Sequence, residues 1–391
     1  MTAFAIVLAA FCAIWLVQAA AVFTHLAEIR TLAHTDAPAP AQWPRVSVVT
    51  PARNEAASFA DSLASRLADS YPDLEVVVVD DRSTDDTPSI LAAFASRDAR
   101  VVPVNVSTLP DGWLGKVHAL AVGVEAATGE WLLFSDADVV VAPGALAKAV
   151  AHCEANGFDV LALIPEFRST SGVVDLLWAI FVRIMAMAAS PKAVRDPHSR
   201  TAVGSGGWTL VRRSTYDASP GFEHLRLETA DDMALGAMLK AVGARCDFMN
   251  GRGSASVSIY GSLGEFYRGV EKNGSSLANA PFAAVAIVFA LLGGVEYAPL
   301  VALGVGLVGG VTWLAWLGAG AAVLATVTTA APLWLNTGML LPALGWPVGW
   351  ALMASGVLRS AWLVHQRGGV VWRGTFYPKR AVMEAQRFRI G

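Results

Sequence analysis

Two aspartates that follow a run of bulky apolar residues are the side chains best suited to chemistry in this chain. Trp131-Leu-Leu-Phe134 predicts a short buried strand, and Asp136 and Asp138 follow its end. Carboxylates at the point where a buried strand reaches the surface suit a divalent cation such as Mg²⁺ or Mn²⁺. Such an ion can hold a diphosphate and neutralise its charge as it leaves. The alternative is a turn or a helix cap, since aspartate is common in both.

Strands and helices are predicted to alternate around this pair. The strands are expected at 45–50, 74–79, 101–104 and 131–134, and the helices at 56–70, 89–96 and 117–127. This alternation indicates an α/β fold with a parallel sheet, in which ligands bind at the carboxyl ends of the strands. Polar clusters follow such strand ends at 54–55, 80–86 and 136–138. We therefore expect these clusters to line one crevice.

The composition of the chain is too apolar for an ordinary soluble domain. Its 391 residues are 54% hydrophobic and 16% charged, and the mean hydropathy is +0.49. Residues 1–24 carry no charged side chain, and Glu296 is the only one between Lys272 and Arg359. The acids are concentrated in residues 40–272. This distribution predicts a soluble domain between membrane segments.

The first apolar run, Phe4–Phe23, is long enough to span a hydrocarbon core of roughly 30 Å. A cleaved signal peptide is the alternative, but no Lys or Arg precedes this long run. We therefore expect an uncleaved anchor at 1–25 and a linker at 26–44. Arg30 follows the anchor, so the positive-inside rule predicts that the domain after it lies in the cytoplasm, at the inner membrane of the cell.

The second apolar region, 281–364, has room for several spans, expected at 283–303, 307–329 and 341–363. The tail at 365–391 is basic and is also expected in the cytoplasm. A cytoplasmic domain and a cytoplasmic tail require an even number of crossings between them. Either one segment is re-entrant or interfacial, or there are four short spans, and the sequence leaves both alternatives open.

The remaining composition excludes some functions. Cys12, Cys153 and Cys246 are far apart and form neither a disulfide framework nor a zinc motif, so idle thiols are expected. A net charge of −3 and the absence of a basic aromatic pattern argue against a nucleic-acid partner.

The polar clusters, taken in order, resemble the motifs of family 2 glycosyltransferases of the GT-A fold. The motifs are Pro51-x-x-Asn54-Glu55, Asp80-Asp81-x-Ser83-Thr84-Asp85-x-Thr87, Asp136-Ala-Asp138 and Asp231-Asp232-Met-Ala-Leu235-Gly236. The resemblance covers about 46–275. It implies a nucleotide-sugar-binding domain at 45–275, with a Rossmann-like mixed sheet and flanking helices, joined here to transmembrane helices.

Further segments are similar to membrane enzymes associated with carotenoid and hopanoid glycosylation. They are Gly112-Trp113-Leu-Gly115-Lys116, Arg195-Asp-Pro197, Gly206-Gly207-Trp208-x-Leu-Val-Arg212-Arg213, Gly269-Val-Glu-Lys272-Asn273 and Trp372-Arg373-Gly374. The Gln-x-x-Arg-Trp or Arg-x-x-Arg-Trp motif of processive and ceramide-type members is absent from this sequence. Its absence argues against synthesis of a long polymer.

The resemblance implies roles in donor binding. The positions that match the nucleoside-binding ones are Pro51, Asn54, Glu55, Asp80 and Asp81. Asp136 matches the ribose-binding position and Asp138 the metal-binding position, for Mg²⁺ or Mn²⁺. Lys116, in a glycine-containing loop, is expected to meet the diphosphate as a point charge. The alternatives are turn and cap chemistry for the acids and an exposed loop position for the lysine.

Asp232 is the expected catalytic base. It lies at the start of a predicted helix, where the family usually carries Glu-Asp and this chain carries Asp231-Asp232. A carboxylate in a partly apolar cleft can accept a hydroxyl proton, although acids also favour the first turn of a helix for its dipole. A further set is expected at the acceptor or the diphosphate, with loop packing or solvated charge as the alternative: Trp113, Trp208, Arg212, Asp231, Arg268 and Lys272.

The segment at 172–190 is apolar but carries Asp175 and Arg183, so we expect an amphipathic helix at the membrane surface, with a buried core helix as the alternative. The function expected from all these features is inverting transfer of a sugar from a nucleotide sugar, of the UDP class, to a lipid hydroxyl. Carotenoid or hopanoid acceptors follow from the resemblance alone. Transfer to a polyprenyl phosphate or a glycerolipid, and a non-catalytic scaffold subunit, are the alternatives.

Overall fold

A mixed sheet positions the polar clusters. In the computed structural model, which describes residues 2–272 and 280–387, eight of the described strands form this sheet in the order β1-β10-β7-β9-β5-β2-β3-β4. Small sheets join β6-β11-β8 and β12-β13. The strands are β1 Arg30–Thr31, β2 Val46–Ala52, β3 Leu74–Asp81, β4 Val101–Val106, β5 Trp131–Phe134, β6 Val140–Val141, β7 Val160–Ile164, β8 Glu166–Phe167, β9 Thr209–Arg212, β10 Cys246–Asn250, β11 Ala255–Val257, β12 Gly369–Trp372 and β13 Thr375–Pro378.

The helices are of two kinds, short ones in the polar half of the chain and long apolar ones outside it. They are α1 Thr2–Glu28, α2 Ala56–Leu67, α3 Thr87–Ala95, α4 Gly115–Ala126, α5 Ala145–Asn156, α6 Gly172–Ala188, α7 Pro191–Arg195, α8 Arg213–Asp217, α9 Asp231–Ala241, α10 Leu263–Gly269, α11 Phe282–Val308, α12 Thr312–Thr337, α13 Trp346–Arg367 and α14 Lys379–Ala385. Short 3₁₀ turns include Leu341–Gly345, directly before α13.

The main sheet is parallel except for one strand. β2 pairs in parallel with β3 and β5, and β3 with β4, whereas β9 is antiparallel to both β5 and β7. Every residue of β3 and β5 is buried, as expected for strands covered on both faces. The predicted α/β class is therefore confirmed. The reversed strand makes the sheet mixed, as the resemblance implied.

The strand predicted at 74–79 is longer in the structure. β3 continues to Asp81 because its main chain keeps pairing with β4, Asp80 opposite Asn105 and Asp81 opposite Val106. The two acids therefore end this strand, whereas the sequence suggested that they follow it.

The chain divides into two compact units. We call Ile29–Arg168, Pro191–Ile259 and Glu384–Gly391 the sheet unit, and Met1–Glu28, Ser169–Ser190 and Tyr260–Met383 the helical unit. The predicted motif residue Asn273 lies outside the described residues.

Four helices of the described chain are long and apolar enough to cross a membrane. They cover Ala3–Glu28, Phe282–Val308, Thr312–Thr337 and Leu341–Arg367. The expected anchor and the expected later apolar segments thus each correspond to a helix. Small residues allow α11 and α12 to approach closely, since a Cβ at Gly306 or Gly318 would overlap main-chain atoms of the other helix.

Helix α6 belongs to the helical unit. Its Arg183 is fully buried, forms an ion pair with Glu296 of α11 at 2.6 Å, and donates to Thr329 of α12 at 3.3 Å. The guanidinium also lies 5.0 Å from the centre of the Trp15 ring of α1. The charge that made this segment look amphipathic is therefore neutralised inside the helical unit.

Candidate functional site

The acidic loop after β5 is held against a glycine-rich segment. Asp136 N donates to Gly206 O at 3.0 Å, and Ser135 Oγ donates to Gly207 O at 2.9 Å. A Cβ on Gly206 would lie 2.8 Å from Asp136 Oδ2 and 3.2 Å from Lys116 Nζ. The main chain therefore passes close to the charged groups here, and a side chain at this position would force them to shift.

The same segment contacts the start of α9. Gly206 N donates to Asp232 Oδ2 at 2.9 Å, and Met233 N donates to Asp232 Oδ1 at 2.8 Å. A Cβ on Gly204 would overlap the carbonyl oxygen of Asp232. These contacts fix the orientation of the Asp232 carboxylate. The glycine-rich segment thus joins the two acidic clusters.

Lys116 links the two acidic clusters electrostatically. Its Nζ lies 2.8 Å from Asp136 Oδ1 and 3.2 Å from Asp231 Oδ2. Burial by itself would lower the pKa of Lys116, but the charges of Asp136, Asp231 and Asp232 together raise the pKa above its usual value. The ammonium group is therefore charged at neutral pH and compensates acids from both ends of the site.

These charged groups line one recess that is open to solvent. Its polar lining includes Lys116, Asp136, Asp231 and Asp232, and its apolar lining includes Phe134, Phe222 and Leu235. The sequence predicted roles for the expected base, the diphosphate lysine and the first acid of the pair, but not that the three would meet. The structure brings all of them together.

Asp138 completes the acidic pair. Burial, and then the charges of Asp136 and Glu55, raise the pKa of Asp138 to about 6. Carboxylates that repel one another in this way can serve as metal ligands, because a divalent cation would stabilise their ionised forms. No group of three or more His, Cys, Asp or Glu side chains is arranged to hold a metal among the described residues. The few carboxylates fit a Mg²⁺ or Mn²⁺ ion that takes its other ligands from a diphosphate and water.

The loops after β2 and β3 are joined to each other. Asn54 N donates to Ser83 Oγ at 3.0 Å, and Thr84 N donates to Asn54 Oδ1 at 2.7 Å. Asn54 has a φ of 56°, a left-handed conformation that asparagine tolerates. Ala56 N donates to Asp85 Oδ2 at 3.0 Å. Asn54 thus has a structural task in the loop in addition to the predicted role at the nucleoside.

The predicted nucleoside acids are buried at the end of β3. Ser83 N donates to Asp80 Oδ1 at 3.3 Å, and Arg82 donates to both oxygens of Asp81 at 2.7 and 2.9 Å. Pro51 lies beside them in β2, paired with Val79. The sequence did not predict this pair of hydrogen bonds from Arg82 to Asp81.

Helix α2 holds the acidic loop from behind. Arg66 is 2% exposed and donates through Nη2 to Asp136 O at 2.5 Å and to Ser135 Oγ at 3.2 Å. One turn earlier, Ser62 Oγ donates to Ala137 O. Burial lowers the pKa of Arg66 to about 10, against the charges of Asp138 and Asp136, so the guanidinium stays charged.

The same face of α2 also holds the segment after the acidic loop. Ser65 Oγ accepts a bond from Val141 N at 3.0 Å, and Asp69 Oδ2 accepts one from Gly144 N at 3.1 Å. Together with Ser62 and Arg66, these side chains recur at the spacing of one helix face. Polar residues on the buried side of an amphipathic helix were the signal that could have identified this face.

Other predicted contacts lie away from the recess or inside the core. Arg212 pairs with Trp131 at the opposite end of β5 from Asp136, and it forms ion pairs with Glu154 and Asp159. This position removes Arg212 from the candidate site. Trp208 is fully buried, so its ring has no free face for a sugar.

Trp113 is also largely buried, at 9% exposure. Its ring lies 5.2 Å from the Arg226 guanidinium carbon and 5.3 Å from the His118 ring. This packing supports the alternative in which Trp113 stabilises its loop. Arg268 and Lys272 belong to the helical unit, and their contact with a diphosphate stays a prediction.

Comparison with known proteins agrees with this geometry. Residues 47–218 match the family model described as Glycosyl transferase family 2. Residues 47–218 form a glycosyl transferase family 2 domain. The match includes the loops after β2 and β3, Lys116 and the acidic pair, whereas Asp231 and Asp232 lie beyond it.

Curated relatives match part of the chain. It is 32% identical over 117 residues to the succinoglycan biosynthesis protein ExoO of Rhizobium meliloti (strain 1021), covering 30% of this chain and 32% of that protein. It is 27% identical over 194 residues to the 4,4'-diaponeurosporenoate glycosyltransferase of Staphylococcus aureus (strain USA300), covering 49% of this chain and 50% of that protein. The chain thus spans from about a third to a half of the length of these relatives.

A solved structure extends the likeness beyond the family 2 domain. The mannosyltransferase PcManGT from Pyrobaculum calidifontis, in complex with GDP-Man and Mn²⁺, superposes with a TM-score of 0.53 at 21% identity. The likeness covers 91% of this chain and 99% of that one. At this identity it shows a shared fold, here the GT-A fold.

Proposed function

We propose that this protein is a membrane-bound glycosyltransferase that moves a sugar from a UDP-sugar to a lipid hydroxyl with inversion at the anomeric carbon. The observation that carries the proposal is the recess in which Lys116, Asp136, Asp231 and Asp232 meet. Such a transfer needs carboxylates that bind a metal ion and its diphosphate, and it needs an oriented carboxylate that acts as the base.

The acidic pair would receive the donor. Asp138 would hold Mg²⁺ or Mn²⁺, which supplies Lewis-acid stabilisation of the leaving diphosphate, and Asp136 would bind the ribose. The Mn²⁺ and GDP-Man in the structural neighbour support a divalent cation and a nucleotide-sugar donor. Asn54, in the loop after β2, and Asp80, at the end of β3, would bind the nucleoside.

Asp232 would remove the proton from the acceptor hydroxyl. Main-chain donors at Gly206 and Met233 hold both of its oxygens, and each carboxylate oxygen can accept a further hydrogen bond. The hydroxyl oxygen then forms the new bond to the anomeric carbon as the bond to the diphosphate breaks, on the opposite face of the sugar. Lys116 would keep the neighbouring acids compensated throughout the transfer.

A lipid acceptor is supported by the four helices that are long and apolar enough to cross a membrane. The Staphylococcus aureus relative, a 4,4'-diaponeurosporenoate glycosyltransferase, supports a carotenoid-type acceptor. Hopanoid, polyprenyl phosphate and glycerolipid acceptors belong in the same test because the recess itself does not distinguish them.

The test uses the purified full chain with a panel of UDP-, GDP- and dTDP-sugars, with Mn²⁺, Mg²⁺ or EDTA. Nucleotide release is measured with and without lipids of each class, and the anomeric configuration of the product is read by NMR. We expect release from one UDP-sugar that needs a divalent cation and is stimulated by one lipid class. A folded protein with no turnover under any condition would overturn the proposal in favour of a scaffold subunit.

The matched variants are Asp232→Asn and Asp217→Asn. Asp217 is exposed at the end of α8 and serves as the control. Loss of general-base catalysis is typically about 10²- to 10⁴-fold, so Asp232→Asn should lose activity in that range while still binding the donor. Normal turnover by Asp232→Asn would remove Asp232 from the role of base.

A further inference from the structure

Helices α11 and α12 form an antiparallel pair. Gly306, near the end of α11, lies against Ala315, near the start of α12. Further along, Gly318 lies against Pro299 and Leu303. Residues earlier in α11 thus contact residues later in α12. The two helices run in opposite directions, as two successive membrane crossings do.

Helix α13 also runs antiparallel to α11. Tyr297 Oη donates to Pro347 O at 2.8 Å, and the rings of Phe282 and Trp362 lie 5.1 Å apart. Between these contacts, the Phe289 and Trp350 rings lie 6.4 Å apart. Because α12 and α13 both oppose α11, they point in the same direction. Successive crossings would have to point in opposite directions.

The start of α13 lies beside the middle of α11. Tyr297 is about 22 Å along the helix axis from Phe282, at roughly 1.5 Å per residue. Trp346, the first residue of α13, packs in one cluster with Ala325, well before the end of α12 at Thr337. Residues 338–345 therefore turn the chain back along α12 before α13 begins.

The end of α13 lies beside the chain that precedes α11. Arg359 and Arg367 both form ion pairs with Glu271, the former at 3.4 Å. Ser360 Oγ donates to Glu271 O at 2.7 Å, and His365 Nε2 lies 3.0 Å from Ala280 O. Charged groups are costly in hydrocarbon, so this cluster belongs at one membrane face. The chain before α11 and the chain after α13 thus meet at the same face.

The turn before α13 presents apolar side chains outward. They are Leu340, Leu341, Leu344 and Val348, exposed by 53%, 79%, 68% and 54%. Val348 follows Pro347, which contacts Tyr297 in the middle of α11, and the outer surface of α11 is itself apolar, as at Ile287, Leu291 and Leu300. An apolar surface that continues that of the crossing helices is suited to acyl chains.

We infer that residues 338–367 form a re-entrant segment that enters the bilayer to the depth of the middle of α11 and leaves by the face through which it entered. The occupant of its outer surface is the acyl chains of the bilayer. Between Glu271 and the tail only α11 and α12 then cross, although α13 is long and apolar enough to span. The sequence predicts three apolar segments here but requires an even number of crossings, and two crossings with one re-entrant segment satisfy both. This inference does not depend on the transferase activity.

The first experiment maps sidedness by labelling single cysteines with a membrane-impermeant maleimide. The buried native thiols Cys12, Cys153 and Cys246 are first replaced by alanine. Probes are then placed at exposed positions: Gly264→Cys before α11, Thr312→Cys between α11 and α12, and Phe376→Cys after α13. Intact cells and inverted vesicles are compared. We expect the probes at 264 and 376 to label from the same side and the probe at 312 from the other.

If the probes at 312 and 376 label from one side and the probe at 264 from the other, α13 crosses the membrane. If all three probes label from one side, α11 and α12 do not form a pair of crossings. Either result overturns the inference. The equivalent exposed positions Glu265→Cys and Pro378→Cys repeat the test if a first variant is not produced.

The second experiment measures depth with a nitroxide at Leu344→Cys in phospholipid vesicles. A label in one leaflet collides more often with oxygen, which concentrates in the bilayer, than with a water-soluble nickel chelate. We expect that pattern at 344 and the reverse pattern at the control, Phe376→Cys. Predominant collision with the chelate at 344 would place the turn in water and overturn the inference.

Discussion

The ammonium group of Lys116 lies 2.8 Å from a carboxylate oxygen of Asp136, the first acid of the pair after β5. The same group lies 3.2 Å from Asp231, at the start of α9. A single cation thus neutralises acids from two segments that are distant in sequence. A donor diphosphate that enters with its metal ion would compete for these contacts, so Lys116 is placed to exchange from a protein acid to a phosphate.

Lys116→Met should strongly reduce turnover. Removing one preorganised charge from such a site typically costs about 10²- to 10³-fold in kcat, and we expect a loss of that order. The control is Lys148→Met, whose Nζ donates to Ala33 O at an exposed position of α5. Steady-state kinetics of both variants are compared with the unchanged chain. Equal kcat for Lys116→Met and Lys148→Met would contradict this role.

Arg66→Met should weaken metal binding, so that half-maximal activity needs a higher metal concentration. Arg66 donates to the main chain of Asp136 and supports the acidic loop without facing the recess. Loss of such outer-shell partners typically costs about 10- to 100-fold in metal affinity. The measurement is the Mn²⁺ concentration for half-maximal activity, with exposed Arg97→Met as the control. A lower melting temperature with unchanged Mn²⁺ dependence would reduce Arg66 to a purely structural residue.

Gly206→Ala should impair catalysis more than folding. The added Cβ would lie 2.8 Å from Asp136 Oδ2 and 3.2 Å from Lys116 Nζ, so the charged groups must shift. Displacements near 1 Å in an active site can cost about 10²-fold in rate. Gly172→Ala, where no atom lies within 4 Å of the new Cβ, is the matched control. Comparison of kcat and thermal stability for the pair checks the prediction, and unchanged kcat in Gly206→Ala would refute it.

Ionisation of Asp138 should lower the stability of the metal-free protein as pH rises from about 4 to about 6. The Asp138 carboxyl has a folded-state pKa of about 6, above its usual 3.8, because of burial and the nearby charges of Asp136 and Glu55. In this window Asp138 binds more protons in the folded state than in the unfolded state, so its contribution to the free energy of unfolding falls with rising pH. Asp138→Asn should flatten that slope in EDTA, whereas exposed Asp61→Asn should not. Thermal unfolding at several pH values measures both, and equal slopes for the two variants would contradict the assignment.

Metal addition should counter the same instability. Above pH 6 the Asp138 carboxylate is ionised and available to a cation, whereas below that value a cation must displace its proton. The gain in melting temperature on adding Mn²⁺ should therefore be larger at pH 7 than at pH 5. A gain that does not vary with pH would indicate that the cation binds elsewhere.

The strand ends were predictable because their signals are local. Buried apolar runs at β2, β3 and β5, each followed by polar residues, placed the nucleoside loops and the acidic pair at one edge of a sheet. The resemblance to family 2 motifs then supplied the roles, and the family match at 47–218 supports it. Arg212 shows the limit of this approach. It follows the motif glycines closely in sequence, but an antiparallel strand carries it to the far end of β5.

By itself, the sequence determined the α/β class, the apolar helices and the acids that could do chemistry, because hydrophobic period and strand-end polarity are encoded by neighbouring residues. Only the tertiary structure decided that Lys116 joins Asp136 to Asp231, that Arg66 supports the acidic loop, and that α13 runs parallel to α12. Each of these depends on contacts between residues far apart in the chain. Which charge meets which acid, and whether an apolar helix turns back, are decided by packing between elements rather than by the composition of any one of them.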